Sequence, residues 1–194
     1  VREFDERVRR LLGTRRVAYC VEPKIDGVAV ALWYEEGQLV RGVTRGDGAQ
    51  GDDVTANIRT VRGVPLRLLQ ASRPQPKHLE VRGEVYMTKS AFEKVNQERK
   101  KKGLSLYANP RNTAAGTIRQ LDPKIAASRQ LDFLAYDLVT GLGQETHQQE
   151  HQIVRALGFR TSQDQYCPNL EEVIKFWQKI KGIRDRLPYQ IDGV

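Results

Sequence analysis

One lysine of the sequence stands where it could act as a nucleophile. Lys24 lies two residues before Asp26, within the segment EPKIDGVA (22–29). The dipeptide Asp26-Gly27 favours a tight hairpin turn, and Lys24 is then a solvated charge beside that turn. Alternatively, a lysine at a strand end beside a tight turn projects into a cleft and attacks an electrophile. This segment alone leaves both interpretations open.

Protonation decides whether such a lysine can react. A lysine of ordinary pKa is neutral in roughly one molecule in a thousand near neutral pH. Burial or a neighbouring cation, including a metal ion, lowers the amine pKa, whereas a nearby carboxylate such as Asp26 raises it. Asp26 can therefore orient the Lys24 amine but cannot activate it alone.

Two further segments carry groups suited to a nucleotide. Arg45 precedes Gly46-Asp47-Gly48, where backbone can approach a ligand closely, although a plain surface turn has the same composition. Glu84 lies in the segment LEVRGEVYM (79–87), and alternation places it on the same strand face as Arg82. A carboxylate there can accept hydrogen bonds from ribose hydroxyls, or it can form a cross-strand ion pair.

A helix beginning at Pro110 carries two arginines suited to phosphates. Arg111 and Arg119 are eight residues apart, about two turns, and so lie near one helix face. Asn109, with Asn112 and Thr113, adds a helix N-terminus that favours anions. The alternative is an ordinary solvated basic face.

These residues need strands to position them. Residues rich in β-branched and aromatic side chains predict strands at 17–22, 28–34, 39–44, 79–87 and 131–139, and another beginning in YQIDGV (189–194). Two hairpin-like connections are expected, at Asp26-Gly27 and at Glu36-Gly37. Residues 71–77 (ASRPQPK) are predicted to form a loop between strands.

Helices dominate the second half. Ser90 and Glu93 form a predicted capping box that opens a basic helix ending near Gly103. A short helix after residue 53 and longer ones at 109–120, 146–157 and from Asn169 onward are also predicted. In the last, an apolar stripe indicates core contact and comprises Leu170, Val173, Ile174, Trp177 and Ile180. The pattern predicts an α+β fold.

Composition excludes several classes of protein. The 194 residues suffice for one hydrophobic core. No stretch approaches the length of about 20 consecutive apolar residues that a helix needs to cross a bilayer. The two cysteines, Cys20 and Cys167, argue against a disulfide scaffold, a four-cysteine zinc site and a secreted context. The net charge of +8, half of it within residues 88–103, suits a polyanionic partner without identifying one.

Both ends of the sequence indicate a fragment of a longer protein. Position 1 is Val instead of an initiating Met, and the strand at 189–194 stops in mid-pattern. We expect residues 1–194 to form one domain truncated at both ends.

Five segments together resemble the nucleotidyltransferase (adenylation) domain of bacterial NAD-dependent DNA ligases. They are EPKIDGVA (22–29), TRGDGAQGDDVTANIRT (44–60), LEVRGEVY (79–86), ANPRNTAAGTIRQLDP (108–123) and IDGV (191–194). ATP-dependent ligases and capping enzymes usually have Arg where this sequence has Ala29, and Glu where it has Asp192, which favours the NAD-using branch. The resemblance implies antiparallel β-sheets that form a nucleotide cleft with flanking helices, a nucleotidyltransferase or ATP-grasp-like ligase core.

The resemblance also implies roles for residues at matching positions. Lys24 is expected to attack the α-phosphorus of NAD, release nicotinamide mononucleotide and hold AMP until it passes to a DNA 5′-phosphate for nick sealing. Roles implied for the others are adenine contact by Glu22, ribose contact by Arg45 and Glu84, assistance around the lysine and Mg²⁺ by Asp26 and Asp192, and DNA phosphate contact by Arg111 and Arg119.

The expected setting is a bacterial, cytoplasmic, nucleoid-associated monomer that acts in DNA replication and repair after DNA damage. The family's zinc module and other flanking domains are absent from this sequence, so we expect the isolated fragment to be impaired. Two alternatives remain, a DNA-binding module with an inert cleft and a nucleotidyltransferase that uses ATP or GTP.

Overall fold

The computed structural model describes residues 1–48, 50–69 and 76–194. The strands are β1 (Tyr19–Val21), β2 (Lys24–Ile25), β3 (Val28–Glu35), β4 (Gln38–Thr44), β5 (His78–Met87), β6 (Leu131–Leu138), β7 (Gln165–Cys167) and β8 (Ile191–Gly193). The helices are α1 (Arg2–Leu12), α2 (Thr55–Ile58), α3 (Lys89–Lys101), α4 (Pro110–Ile118), α5 (Pro123–Ser128), α6 (His147–Ala156) and α7 (Leu170–Ile183), followed by a 3₁₀ turn at Arg184–Arg186. The expected α+β class is confirmed. Within the described ranges no helix is both long and apolar enough to span a bilayer.

A four-stranded antiparallel sheet in the order β4-β3-β5-β6 is the centre of the fold. Its strands alternate as predicted: Val30, Leu32 and Tyr34 of β3 are buried in the core, and the residues between them are more exposed. The same alternation in β5 buries Val85 and leaves Glu84 on the opposite face. Helices α2, α4 and α6 pack against this sheet.

Two small sheets join distant parts of the chain. Strand β1 pairs with β7, and β2 pairs with β8, both antiparallel. A second apolar cluster holds these strands to α7 and includes Val21, Cys167, Phe176, Ile180 and Ile191. Lys24 is therefore positioned by a partner strand at the far end of the chain.

The prediction of a hairpin at Asp26-Gly27 is wrong. Strand β2 pairs with β8 instead of β3, so the dipeptide crosses between sheets. Gly27 is required there because a Cβ atom would lie 2.4 Å from the backbone oxygen of Val85 and 2.9 Å from Cγ of Glu84. The second predicted hairpin is confirmed, since Glu36 and Gly37 link β3 to β4 with φ values of 47° and 75°, as a type I′ turn requires.

The predicted capping box at Ser90 and Glu93 is also wrong. Helix α3 begins at Lys89, and its cap is Thr88, whose hydroxyl accepts a hydrogen bond from the backbone N–H of Ala91 at 3.2 Å. Strand β5 ends at Met87 and leaves Thr88 extended, so the chain enters the helix before Ser90 is reached. By contrast, Asn109 and Asn169 cap α4 and α7 as expected.

The apolar stripe predicted for α7 is confirmed at Leu170 and Ile180, which are buried, and at Val173, which packs against the second apolar cluster, but it is wrong at Trp177. Phe176 is buried, whereas Trp177 is 43% exposed with the Lys181 ammonium 5.3 Å from its ring. Phe176 and Ile180 are four residues apart and share the buried face of the helix, so Trp177 lies at the edge of that face. Helix α1, helix α5 and strand β7 were not predicted, and most of the predicted loop 71–77 lies outside the described residues.

Candidate active site

A cavity of about 630 Å³ opens over the less buried face of the central sheet. Ala29, Glu84 and Leu134 stand side by side across β3, β5 and β6 and contribute to its lining. Helix α4 and the small β2–β8 sheet border the same space. The residues that line the cavity and were named from the sequence are Glu22, Lys24, Arg45, Glu84, Arg111 and Arg119.

Lys24 meets Asp192 across the β2–β8 pair. Its Nζ donates a hydrogen bond to Oδ2 of Asp192 at 2.5 Å, and the two side chains are 63% and 40% exposed. The lysine ammonium lowers the pKa of Asp192. Asp26, which the sequence placed beside the amine, lies 3.3 Å from the Arg111 guanidinium instead.

Glu84 is the most perturbed acid of the cavity. Burial raises its pKa to about 7, because the charged form loses hydration. The Gly27 backbone N–H and the cations Lys24 and Arg111 oppose that rise only in part. Glu84 therefore exchanges its proton close to neutral pH and can act as a hydrogen-bond donor or acceptor.

The two arginines of α4 lie on one side of the cavity, as their spacing indicated. Arg111 is in the first turn, and Arg119 caps the C-terminus of the helix. The Arg119 Nε donates to Asp52 at 2.7 Å, and the side chains of Arg111 and Arg119 are 56% and 44% exposed. Both can therefore exchange a carboxylate for a phosphate without a change of fold.

Sequence reasoning missed Tyr136. It lies on β6 two residues after Leu134, half-buried, and its ring contributes to the cavity wall. Burial raises its pKa, so the ring stays neutral. Alternation along the predicted strand 131–139, which puts Tyr136 on the face of Leu134, was the signal available.

A group around Glu22 was missed as well. The Ser162 hydroxyl donates to Oε2 of Glu22, and Nε2 of His147 lies 3.5 Å from Oε1. Burial raises the pKa of Glu22, but the hydrogen bonds from His147 and Ser162 outweigh it and leave the pKa lowered. The same bond to Glu22 raises the pKa of His147 to about 9.

Comparison with known proteins identifies the family of this chain. The family described as NAD-dependent DNA ligase adenylation domain matches residues 1–194. The chain belongs to this family. The resemblance drawn from the five sequence segments is therefore confirmed.

Similar proteins include the DNA ligases of Brevibacillus brevis, 49% identical, and of Desulforamulus reducens and Bacillus subtilis, each 48% identical. Each alignment covers 100% of this chain and 29% of the relative. The chain thus spans less than a third of the length of these ligases.

Proposed function

We propose that this adenylation domain performs the first chemical step of NAD-dependent DNA ligation. The neutral Lys24 amine attacks the α-phosphorus of NAD, a P–N bond forms, and the bond to nicotinamide mononucleotide breaks. The amine loses a proton, and AMP remains on the lysine as a phosphoramidate. The AMP then passes to a DNA 5′-phosphate, and attack by a 3′-hydroxyl releases it and seals the nick.

The contact between Lys24 and Asp192 is the observation that carries this proposal. The contact holds the Lys24 amine 2.5 Å from the Asp192 carboxylate, at the edge of a cavity large enough for a nucleotide. A paired ammonium is not a nucleophile, so the pair has to open and Lys24 has to lose its proton before attack. Lys24 is 63% exposed, so its proton passes to solvent as the pair opens, and Asp192 then orients the neutral amine.

The remaining lining suits an adenosine. The Tyr136 ring offers a face on which a base can stack, and the Glu22 carboxylate lies where it can accept a hydrogen bond from an exocyclic amine. Glu84 and Arg45 line the same cavity and are assigned to the ribose region. This division follows the roles that the family resemblance implies.

Carboxylate oxygens near the lysine suit Mg²⁺. Asp192 touches Lys24, and Asp26, which lies 3.3 Å from Arg111, offers a second carboxylate of the kind that Mg²⁺ prefers once it leaves that arginine. When bound, the ion would offset negative charge on the phosphate and favour the neutral amine. The protein's own groups orient the amine and bind the nucleoside.

Arg111 and Arg119 are assigned to the phosphates of nicked duplex DNA. Both guanidiniums reach solvent at the cavity edge, and each is held by a carboxylate that a phosphate can replace. DNA bound along α4 then lies next to the adenylated lysine.

The test uses a full-length ligase that carries these 194 residues as its adenylation domain. NAD labelled in its adenine half is expected to label the wild type and Lys124→Ala, an exposed lysine on α5, but not Lys24→Ala. Labelling should not occur with ATP or GTP. Normal nick sealing by Lys24→Ala would overturn the proposal and leave salt-sensitive DNA binding as the function of this domain.

A further inference from the structure

Two histidines and a carboxylate converge at the Glu22 end of the cavity. His147 and His151 are four residues apart on one face of α6. Their Nε2 atoms point at the Glu22 carboxylate, at 3.5 Å for His147 and 3.8 Å for His151. The three donor atoms all lie within 4.8 Å of one another.

The opposite nitrogen of each ring faces its own acid. Nδ1 of His147 lies 2.9 Å from Glu150, and Nδ1 of His151 lies 3.1 Å from Asp164. Histidines that bind metals commonly present one nitrogen to the ion and the other to a carboxylate, which fixes the ring and its tautomer. His147 has this orientation before any ion is bound, whereas Nδ1 of His151 lies close to its carboxylate without an aligned hydrogen bond.

His151 supplies an independent sign of a ligand. Its side chain is 0% exposed, and within the described ranges neither ring nitrogen makes an aligned hydrogen bond. A buried polar group without a partner costs roughly 1–3 kcal/mol, so such groups are uncommon. An ion between Nε2 and the Glu22 oxygen would give that nitrogen a partner.

We propose that Glu22, His147 and His151 bind a divalent transition-metal ion, Zn²⁺ above all. Two histidines and one glutamate are a zinc ligand set that leaves a fourth position open. The helix sequence His-Gln-Gln-Glu-His (147–151) has the spacing of one known class of zinc-binding helix. Imidazole ligands favour Zn²⁺ over Mg²⁺.

Side-chain rotation is enough to form this site. A tetrahedron with metal–ligand bonds of about 2.1 Å has edges of about 3.4 Å. His147 Nε2 and His151 Nε2 lie 3.5 and 3.8 Å from different oxygens of Glu22, and the three donor atoms are within 4.8 Å of one another, so they have to close in on a single ion. The three ligands can hold an ion whether or not Lys24 reacts, but the ion uses the Glu22 carboxylate that the proposed function assigns to adenine, so the two compete for that group.

The test is titration of the untagged, metal-free 194-residue chain with Zn²⁺ by calorimetry. We expect one ion per chain, and at least ten-fold weaker binding in His147→Gln, whose side chain is 33% exposed and so tolerates substitution. Glu150→Gln, which removes only the carboxylate behind His147, should weaken binding by about ten-fold. His78→Gln is the matched control, because His78 is 81% exposed on β5 and should leave binding unchanged.

Co²⁺ gives a second readout that does not require the buried His151 to be altered. Its visible absorption should indicate nitrogen and oxygen ligands without a thiolate band, and Cys20→Ser should leave the spectrum unchanged. Absence of Zn²⁺ binding in the wild type, or binding unaffected by both His147→Gln and Glu22→Gln, overturns the proposal. Loss of binding in His78→Gln or Cys20→Ser overturns it too, because the ion would then lie elsewhere.

Discussion

Glu84→Gln should change how the stability of the chain depends on pH. Burial raises the pKa of Glu84 from 4.5 to about 7 in the folded state, whereas the unfolded chain restores the ordinary value. The folded protein therefore holds a proton that the unfolded protein has lost between these two pH values. Because the folded state holds more protons, the contribution of Glu84 to the free energy of unfolding falls as pH rises from about 4.5 to about 7. Above that range the contribution of Glu84 no longer changes.

The size of this effect follows from the pKa difference. At about 1.4 kcal/mol per pKa unit, the rise corresponds to an upper limit of about 3 kcal/mol between pH 4.5 and pH 7. Glu84 keeps some contact with solvent, which reduces the expected difference to about 1–2 kcal/mol. Glutamine cannot ionise, so the variant should equal the wild type near pH 4.5 and exceed it in stability at pH 8.

Urea unfolding at a series of pH values measures this difference directly. Every other titrating group is common to the two proteins, so subtraction of the two profiles isolates Glu84. Glu80→Gln, four residues earlier on the same strand, is the matched control and should retain the wild-type slope, since Glu80 lies outside the cavity that Glu84 lines. Parallel profiles for the wild type and Glu84→Gln would refute the reasoning.

Three further predictions follow from contacts described above. Gly27→Ala should lower the free energy of unfolding by about 2–3 kcal/mol in urea titrations, because the added Cβ collides with the backbone of β5. Asp192→Asn should change that free energy by less than about 1 kcal/mol, because the pair is exposed, while adenylation of Lys24 by labelled NAD falls at least ten-fold. Arg111→Ala and Arg119→Ala, measured in a full-length ligase, should each weaken DNA binding and reduce the slope of log affinity against log salt by about 1.

Matched controls separate these effects from general damage. Gly182→Ala, in α7 with no atom within 4 Å of the added Cβ, should raise stability by up to about 1 kcal/mol. Arg15→Ala, an exposed arginine outside the cavity, should leave the salt slope unchanged. Equal losses in Gly27→Ala and Gly182→Ala, or equal slopes in all three arginine variants, would contradict the predictions.

Local patterns predicted the parts of the fold that local interactions determine. Alternation assigned Glu84 and Val85 to opposite faces of β5, and side-chain caps located the starts of α4 and α7. Asp26-Gly27 misled the prediction because a turn-forming dipeptide says nothing about which strand pairs with the one before it. That partner, β8, lies more than 160 residues away.

The candidate site was predictable in its chemistry but not in its contacts. Composition and family resemblance selected Lys24 and Glu84, and both line the cavity. The family resemblance placed Asp192 around Lys24, and the two are in contact, but the gathering of His147 and His151 around Glu22 depends on tertiary packing that no short segment encodes. Tyr136 had a local signal, because side chains two residues apart on a strand lie on the same face, and Leu134 stands two residues before it.

The pairing of β2 with β8 bears on how a ribosome produces this protein. The strand that holds Lys24 leaves the exit tunnel early, but its hydrogen-bonding edge stays without its partner until residue 193 has also emerged. Contacts of such long sequence separation form late and slowly. The strands of the central sheet, which all lie before residue 139, can therefore pair first, and the Lys24 amine meets the Asp192 carboxylate only after residue 192 has emerged.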